Sequence, residues 1–278
     1  MSHNYWVSTD LDGTLLDHHN YSFEGAKDGL ALCREKDILV VINSSKTFSE
    51  CLDIQKQLEL EVPLIVENGS ALILPQSLTK SLDANKQELQ LKNSSFSEIV
   101  FGVRRNKILE FISDVRLSKS WSFEGFNDWD LERVCDYTDL SSDEAKNAMQ
   151  KEFSEPFIWQ DSDENLLLFK DLAKDQGLTI LKGGRFFHLQ GDCNKATPLT
   201  WFKNNFDQLT DLSQTQNTLI AMGDNDNDIA MLKFADIAVC IKSAKNEYPN
   251  IGEHPNAYFT KQVGPYGWSE AIIALLNN

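Results

Sequence analysis

Over its first seventy residues the chain alternates short apolar runs with amphipathic stretches. Residues 5–9 open on Tyr5-Trp6-Val7 and predict a strand, and residues 23–36 carry apolar positions at helical spacing. Ile38-Leu39-Val40-Val41-Ile42 is unbroken and rich in β-branched side chains, the pattern of a strand covered on both faces. Thr47-Phe48-Ser49-Glu50 is a capping box that opens the next helix. Pro63-Leu64-Ile65-Val66 is a further short buried strand. This βαβαβ order predicts a parallel sheet with right-handed crossovers.

The rhythm breaks near Pro75. Residues 76–97 are polar and weakly patterned, as in a linker or the loose edge of an inserted unit. From about 96 to about 189 the pattern is α+β. Helices are predicted over 107–117, 130–137, 141–153 and 164–176, and strands near 157–159, 179–181 and 186–189. The α/β rhythm then returns, with helices at 194–206, 226–234 and 267–276 and strands at 218–222 and 237–241. The expected fold class is α/β: a Rossmann-like core with a parallel sheet flanked by helices, plus an inserted α+β cap. Residues 1–85 and 190–278 are assigned to the core and 86–189 to the cap.

Composition narrows the partners. With 26 Lys and Arg against 42 Asp and Glu, the net charge of −16 argues against nucleic acid or an anionic membrane surface. An acidic protein that acts on phosphates needs local cations or a metal. The five cysteines show no CxxC spacing, which leads us to expect reduced thiols in the cytoplasm. No apolar run approaches the ~18 residues of a membrane span, and the N-terminal residues do not read as a signal peptide. The pattern leaves the oligomeric state open.

The chemistry gathers at predicted strand ends. Asp10-Leu11-Asp12-Gly13-Thr14 follows the first strand, and Ser44-Ser45 follows the second. Lys195 opens a helix after the inserted segment. Gly223-Asp224-Asn225-Asp226-Asn227-Asp228 follows the strand ending at Met222. In an open α/β sheet, ligands bind at that carboxyl edge. Two carboxylates two residues apart suit covalent phosphoryl transfer, with Asp10 as nucleophile and Asp12 as proton donor and acceptor. Asp10, the Asp12 carbonyl, Asp224 and Asp228 form a hard-oxygen set that suits Mg²⁺. Ser44, Ser45 and Lys195 are candidate phosphate ligands, as are Gly13 and Thr14 through main-chain N–H groups. Each motif alone also reads as a turn or a helix cap; their order along the chain favours the catalytic reading.

These four pieces resemble the motifs of the haloacid dehalogenase superfamily of phosphohydrolases, and the resemblance runs the length of the chain. The insertion between the second and third motifs, together with Glu67-Asn68-Gly69, looks like the α/β cap of its sugar-phosphatase branch. Ser44-Ser45-Lys46-Thr47, residues 150–156, Asp161-Ser162-Asp163-Glu164, Gly184-Arg185-Phe186-Phe187-His188 and Gly264-Pro265-Tyr266-Gly267-Trp268 are similar to mannosyl-3-phosphoglycerate phosphatases. That resemblance implies a Mg²⁺-dependent hydrolase acting through an aspartyl phosphate on a phosphorylated sugar-glycerate. Other sugar phosphatases, for glucosyl-3-phosphoglycerate or sucrose phosphate, and a phosphomannomutase-like enzyme are the alternatives. Two departures stand out. Asp224-Asn225-Asp226-Asn227-Asp228 replaces a usual Gly-Pro before Asn-Asp, and Lys151 stands where Arg is usual.

Four residues are candidates for substrate contact: Asn68, Arg185, His188 and Asn227. The competing reading makes Arg185 half of a structural ion pair and His188 a hydrogen-bonded core histidine. Asp163 and Glu164 either meet sugar hydroxyls or cap a helix. Among the tryptophans, Trp268 is the one to follow into the fold.

Overall fold

The computed structural model describes residues 4–79, 89–182, 185–209, 217–245 and 247–277. Thirteen strands occur among them: β1 (Asn4–Thr9), β2 (Leu39–Asn43), β3 (Leu64–Val66), β4 (Ala71–Pro75), β5 (Gln90–Leu91), β6 (Phe96–Val100), β7 (Phe123–Gly125), β8 (Ser154–Trp159), β9 (Leu178–Lys182), β10 (Phe187–Gly191), β11 (Asn217–Gly223), β12 (Ile237–Lys242) and β13 (Ala257–Val263). They form a nine-stranded sheet in the order β13-β12-β11-β1-β2-β3-β4-β6-β5 and a four-stranded sheet in the order β7-β8-β10-β9. From β13 to β3 neighbouring strands run parallel; β3–β4, β4–β6 and β6–β5 are antiparallel. The smaller sheet is antiparallel throughout.

The apolar runs explain the large sheet. Successive side chains of a strand point to opposite faces. Val7, Ile42, Ile220 and Met222 belong to one buried cluster, while Trp6, Val41, Leu219 and Ala221 belong to another. Helices therefore cover both faces, and a parallel sheet requires both to be dry. In the small sheet, Phe123, Phe157 and Leu189 pack on Ile108, Ile112 and Val115 of the helix Arg105–Ser118 and on Phe169 and Ala173 of the helix Asp163–Asp175. Trp268 is fully buried in the C-terminal helix Gly264–Leu276, its indole N–H donating to Thr9 Oγ1 at 3.0 Å. It serves packing and lies inside the core.

Several elements differ from the sequence expectation. The expected division at 85/86 lies outside the described residues. Beyond it the large sheet continues through β6 to its edge strand β5, so the polar stretch read as a linker or the loose edge of an inserted unit ends in antiparallel strands of the large sheet. The helix expected over 141–153 is Ser142–Ala148 only, because β8 begins at Ser154. The helix expected over 194–206 starts at Thr197, with Pro198 in its first turn. Residues 226–228 form a single 3₁₀ turn ahead of the helix Ile229–Phe234. The strands β4, β5, β6, β7 and β13 were not expected. Among the described residues no helix is long and apolar enough to cross a membrane, and the five cysteines are free thiols.

Candidate active site

The large sheet brings Asp10, Asp12, Ser44, Lys195, Asp224 and Asp228 to one edge. Asp10 and Asp12 leave β1, Ser44 leaves β2, and Asp224 and Asp228 follow β11. These three strands are adjacent, with β1 in the middle. Asp10 N donates to Met222 O at 3.0 Å, which ties the first loop to the end of β11.

Lys195 is the charge centre. Its ammonium is fully buried and donates to Asp10 Oδ1 at 2.6 Å and to Asp228 Oδ1 at 2.7 Å. Burial opposes its charge, yet the two carboxylates hold its pKa above the ordinary lysine value. The second Asp228 oxygen accepts from the amides of Asp224 (3.0 Å) and Asn225 (3.1 Å), which fixes the loop after β11. Thr14 Oγ1 donates to Asp224 Oδ1 at 3.1 Å. Asp10, Asp224 and Asp228 each offer an oxygen within 4.8 Å of the others.

The donor set fits a divalent cation. Burial, and then the Asp228 charge, push Asp10 up to about 6 despite Lys195. Burial, followed by the charges of Asp10 and Asp228, pushes Asp224 up to about 8. One lysine does not neutralise three clustered carboxylates, and a hard cation would relieve the excess. The backbone also leaves room for the group: Gly13 sits at φ +78°, and a Cβ there would lie 2.5 Å from Asp224 Oδ2.

Asp12 is held differently. Its Oδ2 pairs with Lys46 Nζ at 2.9 Å, and Lys46 lies 3.9 Å from Glu50 and over the Tyr21 ring. The other oxygen, Oδ1, is buried without a hydrogen-bond partner among the described residues. Burial raises the Asp12 pKa and Lys46 opposes the rise. A carboxyl group with one anchored and one free oxygen is suited to passing a proton. The sequence carries Lys46 within the Ser44-Ser45-Lys46-Thr47 motif but gives it no role of its own. The available signal was a lysine between a strand end and a capping box.

The remaining expected residues divide into two groups. Asn68 Nδ2 donates to Gln190 Oε1 at 3.4 Å, and Asn227 Nδ2 donates to Asn68 Oδ1 at 3.3 Å, so Asn68 and Asn227 meet between the two sheets. Ser44 is buried, and its Oγ accepts from Lys46 N at 3.2 Å. The Ser45 carbonyl accepts from Lys151 Nζ at 3.1 Å. His188 on β10 is partly exposed; burial and then the Lys151 charge lower its pKa to about 3, so the imidazole is neutral. Gly13 N and Thr14 N, expected to cradle phosphate, donate instead to Leu16 O (2.9 Å) and Leu11 O (3.1 Å). Those amides shape the loop, and Thr14 serves Asp224. Arg185 stands apart, exposed and paired with Asp139 Oδ2 at 2.6 Å and with the Tyr137 carbonyl at 2.9 Å. Asp163 and Glu164 lie in the first turn of a helix capped by Ser162.

An aspartate pair, a buried lysine and a carboxylate set thus stand together on the edge of a parallel sheet, an arrangement suited to phosphoryl transfer. Residues 7–254 match the haloacid dehalogenase-like hydrolases, and the chain belongs to that family. It is 33% identical over 276 residues to the glucosyl-3-phosphoglycerate/mannosyl-3-phosphoglycerate phosphatase of Persephonella marina, covering 98% of this chain and 97% of that protein. It is therefore a hydrolase homologous to a phosphatase. Among solved structures, a phosphatase of the haloalkanoate enzyme superfamily from Bacteroides thetaiotaomicron superposes with TM-score 0.65 at 17% identity, covering 99% of this chain and 95% of that one. A Thermotoga maritima protein superposes with TM-score 0.65 at 14% identity, covering 99% and 98%. At these identities the structures establish the shared fold.

Proposed function

We propose that the protein is a Mg²⁺-dependent phosphatase that hydrolyses mannosyl-3-phosphoglycerate to mannosylglycerate and phosphate, with the glucosyl analogue as a second substrate. One observation carries the substrate class: the full-length identity to a phosphatase named for both compounds. The site geometry supports the reaction class.

In this reading an Asp10 oxygen attacks phosphorus and the bond to the glycerate oxygen breaks. Asp12 gives that oxygen its proton. Water then attacks the aspartyl phosphate, Asp12 takes the water proton, and phosphate leaves as Asp10 is restored. Lys195 fixes Asp10 through Oδ1 and balances its charge. Ser44 contributes a hydroxyl toward the phosphoryl oxygens, and Lys46 keeps Asp12 turned into the site. Asp10, Asp224, Asp228 and the Asp12 carbonyl would hold Mg²⁺, which when bound neutralises phosphoryl oxygens. The insertion acts as the cap, with Asn68, Asn227 and His188 facing the sugar-glycerate. Arg185 joins only by leaving Asp139, so the cap-side charge beside the catalytic loop is Lys151.

The test is a phosphate-release panel of mannosyl-3-phosphoglycerate, glucosyl-3-phosphoglycerate, sucrose 6-phosphate and mannose 6-phosphate, run with wild type and Asp10→Asn. We expect kcat/KM to be highest for the two glycerates and to drop at least about a thousandfold in Asp10→Asn. Preference for sucrose 6-phosphate or mannose 6-phosphate would refute the substrate, and a folded, active Asp10→Asn would refute the mechanism.

A further inference from the structure

The mechanism above leaves three buried carboxylates unused: Glu98 pairs with Lys92 and Arg104, Glu155 pairs with Arg105, and the third is Glu67. Glu67 follows β3 and is almost wholly buried, at 1% exposure. Among the described residues no basic group pairs with it. Its carboxylate is instead bound by the inserted segment where β8 begins: Oε1 accepts from Glu152 N at 2.8 Å, and Oε2 accepts from Ser154 Oγ at 2.6 Å and Phe153 N at 3.3 Å. Two amides and a hydroxyl on one anion are strong partners in a dry setting.

The backbone of the same turn faces the other way. Glu67 N donates to Lys46 O at 3.0 Å, and Asn68 N donates to Ser44 O at 3.0 Å. The turn thus holds the loop that carries Ser44 and Lys46. Glu67 and Asn68 reach this geometry at φ +47° and +58°, in the left-handed region that non-glycine residues rarely occupy. Such a conformation persists only when its surroundings impose it. Ser70 O, one turn on, accepts from Phe101 N and Gly102 N, both at 2.9 Å, where the chain leaves the large sheet for the small one.

Further bonds cross the same seam at residues 147–151. Thr47 Oγ1 donates to Asn147 O at 3.0 Å, Ser49 Oγ to Gln150 Oε1 at 2.6 Å, and Asn147 Nδ2 to Asp53 Oδ2 at 2.8 Å. These bonds are partly or fully exposed and open to competition from water. The Glu67 bonds from Phe153 N and Ser154 Oγ are buried at its base, and the bond from Glu152 N is partly buried.

We propose that Glu67 is a positioning residue, a fixed joint that ties the catalytic loop to the inserted segment and sets the height of Lys151 and His188 over the reacting groups. It touches neither substrate nor metal. Its effect therefore falls on the parts of a substrate that lie beyond the phosphate.

Glu67→Gln tests this with little change in shape, since the amide places an NH₂ against the N–H and O–H donors. We would measure kcat and KM for the best substrate in the panel and for p-nitrophenyl phosphate, together with amide exchange over 150–156 and over 40–46. The expected result is a rise in KM for the large substrate of about ten- to a hundredfold, as for loss of hydrogen bonds to a charged group. Turnover of p-nitrophenyl phosphate should stay within about threefold, and exchange should quicken over 150–156 only. Equal losses on both substrates, or unchanged kinetics and exchange, would overturn the proposal. Should Glu67→Gln fail to fold, Ser154→Ala removes one bond to the same carboxylate and carries the same expected split at smaller size. Because the large substrate is whichever the panel selects, an error in its identity shows in wild type and leaves this test intact.

Discussion

Replacing Lys195 with methionine keeps an unbranched side chain one atom shorter and removes its charge. The ammonium is wholly buried between Asp10 Oδ1 at 2.6 Å and Asp228 Oδ1 at 2.7 Å, with Asp224 in the same cluster. Deleting one partner of a buried ion pair leaves uncompensated charge and costs about 3–5 kcal/mol. In a chain of this size each kcal/mol moves Tm by about 2–4 °C, so the expected fall at pH 8 in chelator is about 10 °C. The pH dependence fixes the cause. Asp10 in wild type already titrates near 6, above its ordinary 3.8. Without Lys195 it rises further. A carboxyl raised in the folded state gives stability that is full below its unfolded pKa and is lost as pH rises through the folded value. The variant should therefore approach wild type at pH 5 and fall away between pH 6 and 8. Calorimetry or circular dichroism across that range measures both effects. A Tm deficit of similar size at pH 5 and pH 8 would mean that lost packing, and not unpaired charge, explains it.

Two further outcomes follow from the site. Asp12→Asn should slow hydrolysis of the sugar substrate by about a hundredfold or more, and the loss should be smaller in single-turnover phosphorylation with a nitrophenyl leaving group; equal losses would remove Asp12 as the acid. Mg²⁺ should raise the Tm of wild type more at pH 8 than at pH 6, because Asp224, near 8, and Asp10, near 6, must lose protons to bind it. Asp224→Asn should abolish that rise and Asp226→Asn, at an exposed position, should preserve it; a rise independent of pH and of Asp224 would place the metal elsewhere.

The chemistry was legible because it sits where regular structure ends. A strand with both faces buried announces itself by composition, and its carboxyl end lies close behind the apolar run. Asp10, Ser44 and Asp224 each come two or three residues after such a run. The contacts between them were not legible: Lys195 and Asp10 lie 185 positions apart, and Thr14 and Asp224 lie 210 apart. Only the sheet order places them together. The missed strands fail for a related reason. Within β6, Ser97 and Glu98 are buried, and the edge strand β13 is mostly exposed, so neither shows the apolar run that marked β2.

Lys46 and Glu67 mark where that logic stops. Both are charged residues beside buried strands, which in a sequence reads as the point where solvent begins. Each is instead taken up by a distant partner: Lys46 by Asp12, and Glu67 by the backbone of residues 152 and 153 and the Ser154 hydroxyl. A reacting group must be reachable, so it lies on an edge and follows a motif. A joint must be inaccessible, and its partners are largely main-chain atoms that carry no residue identity. For Glu67 the remaining sequence signal is local: an acid and an asparagine placed before Gly69, after three buried apolar residues, in a turn that must go left-handed. Acids two residues before a glycine at the end of a covered strand are therefore the positions to examine for cap-to-core joints in chains of this architecture.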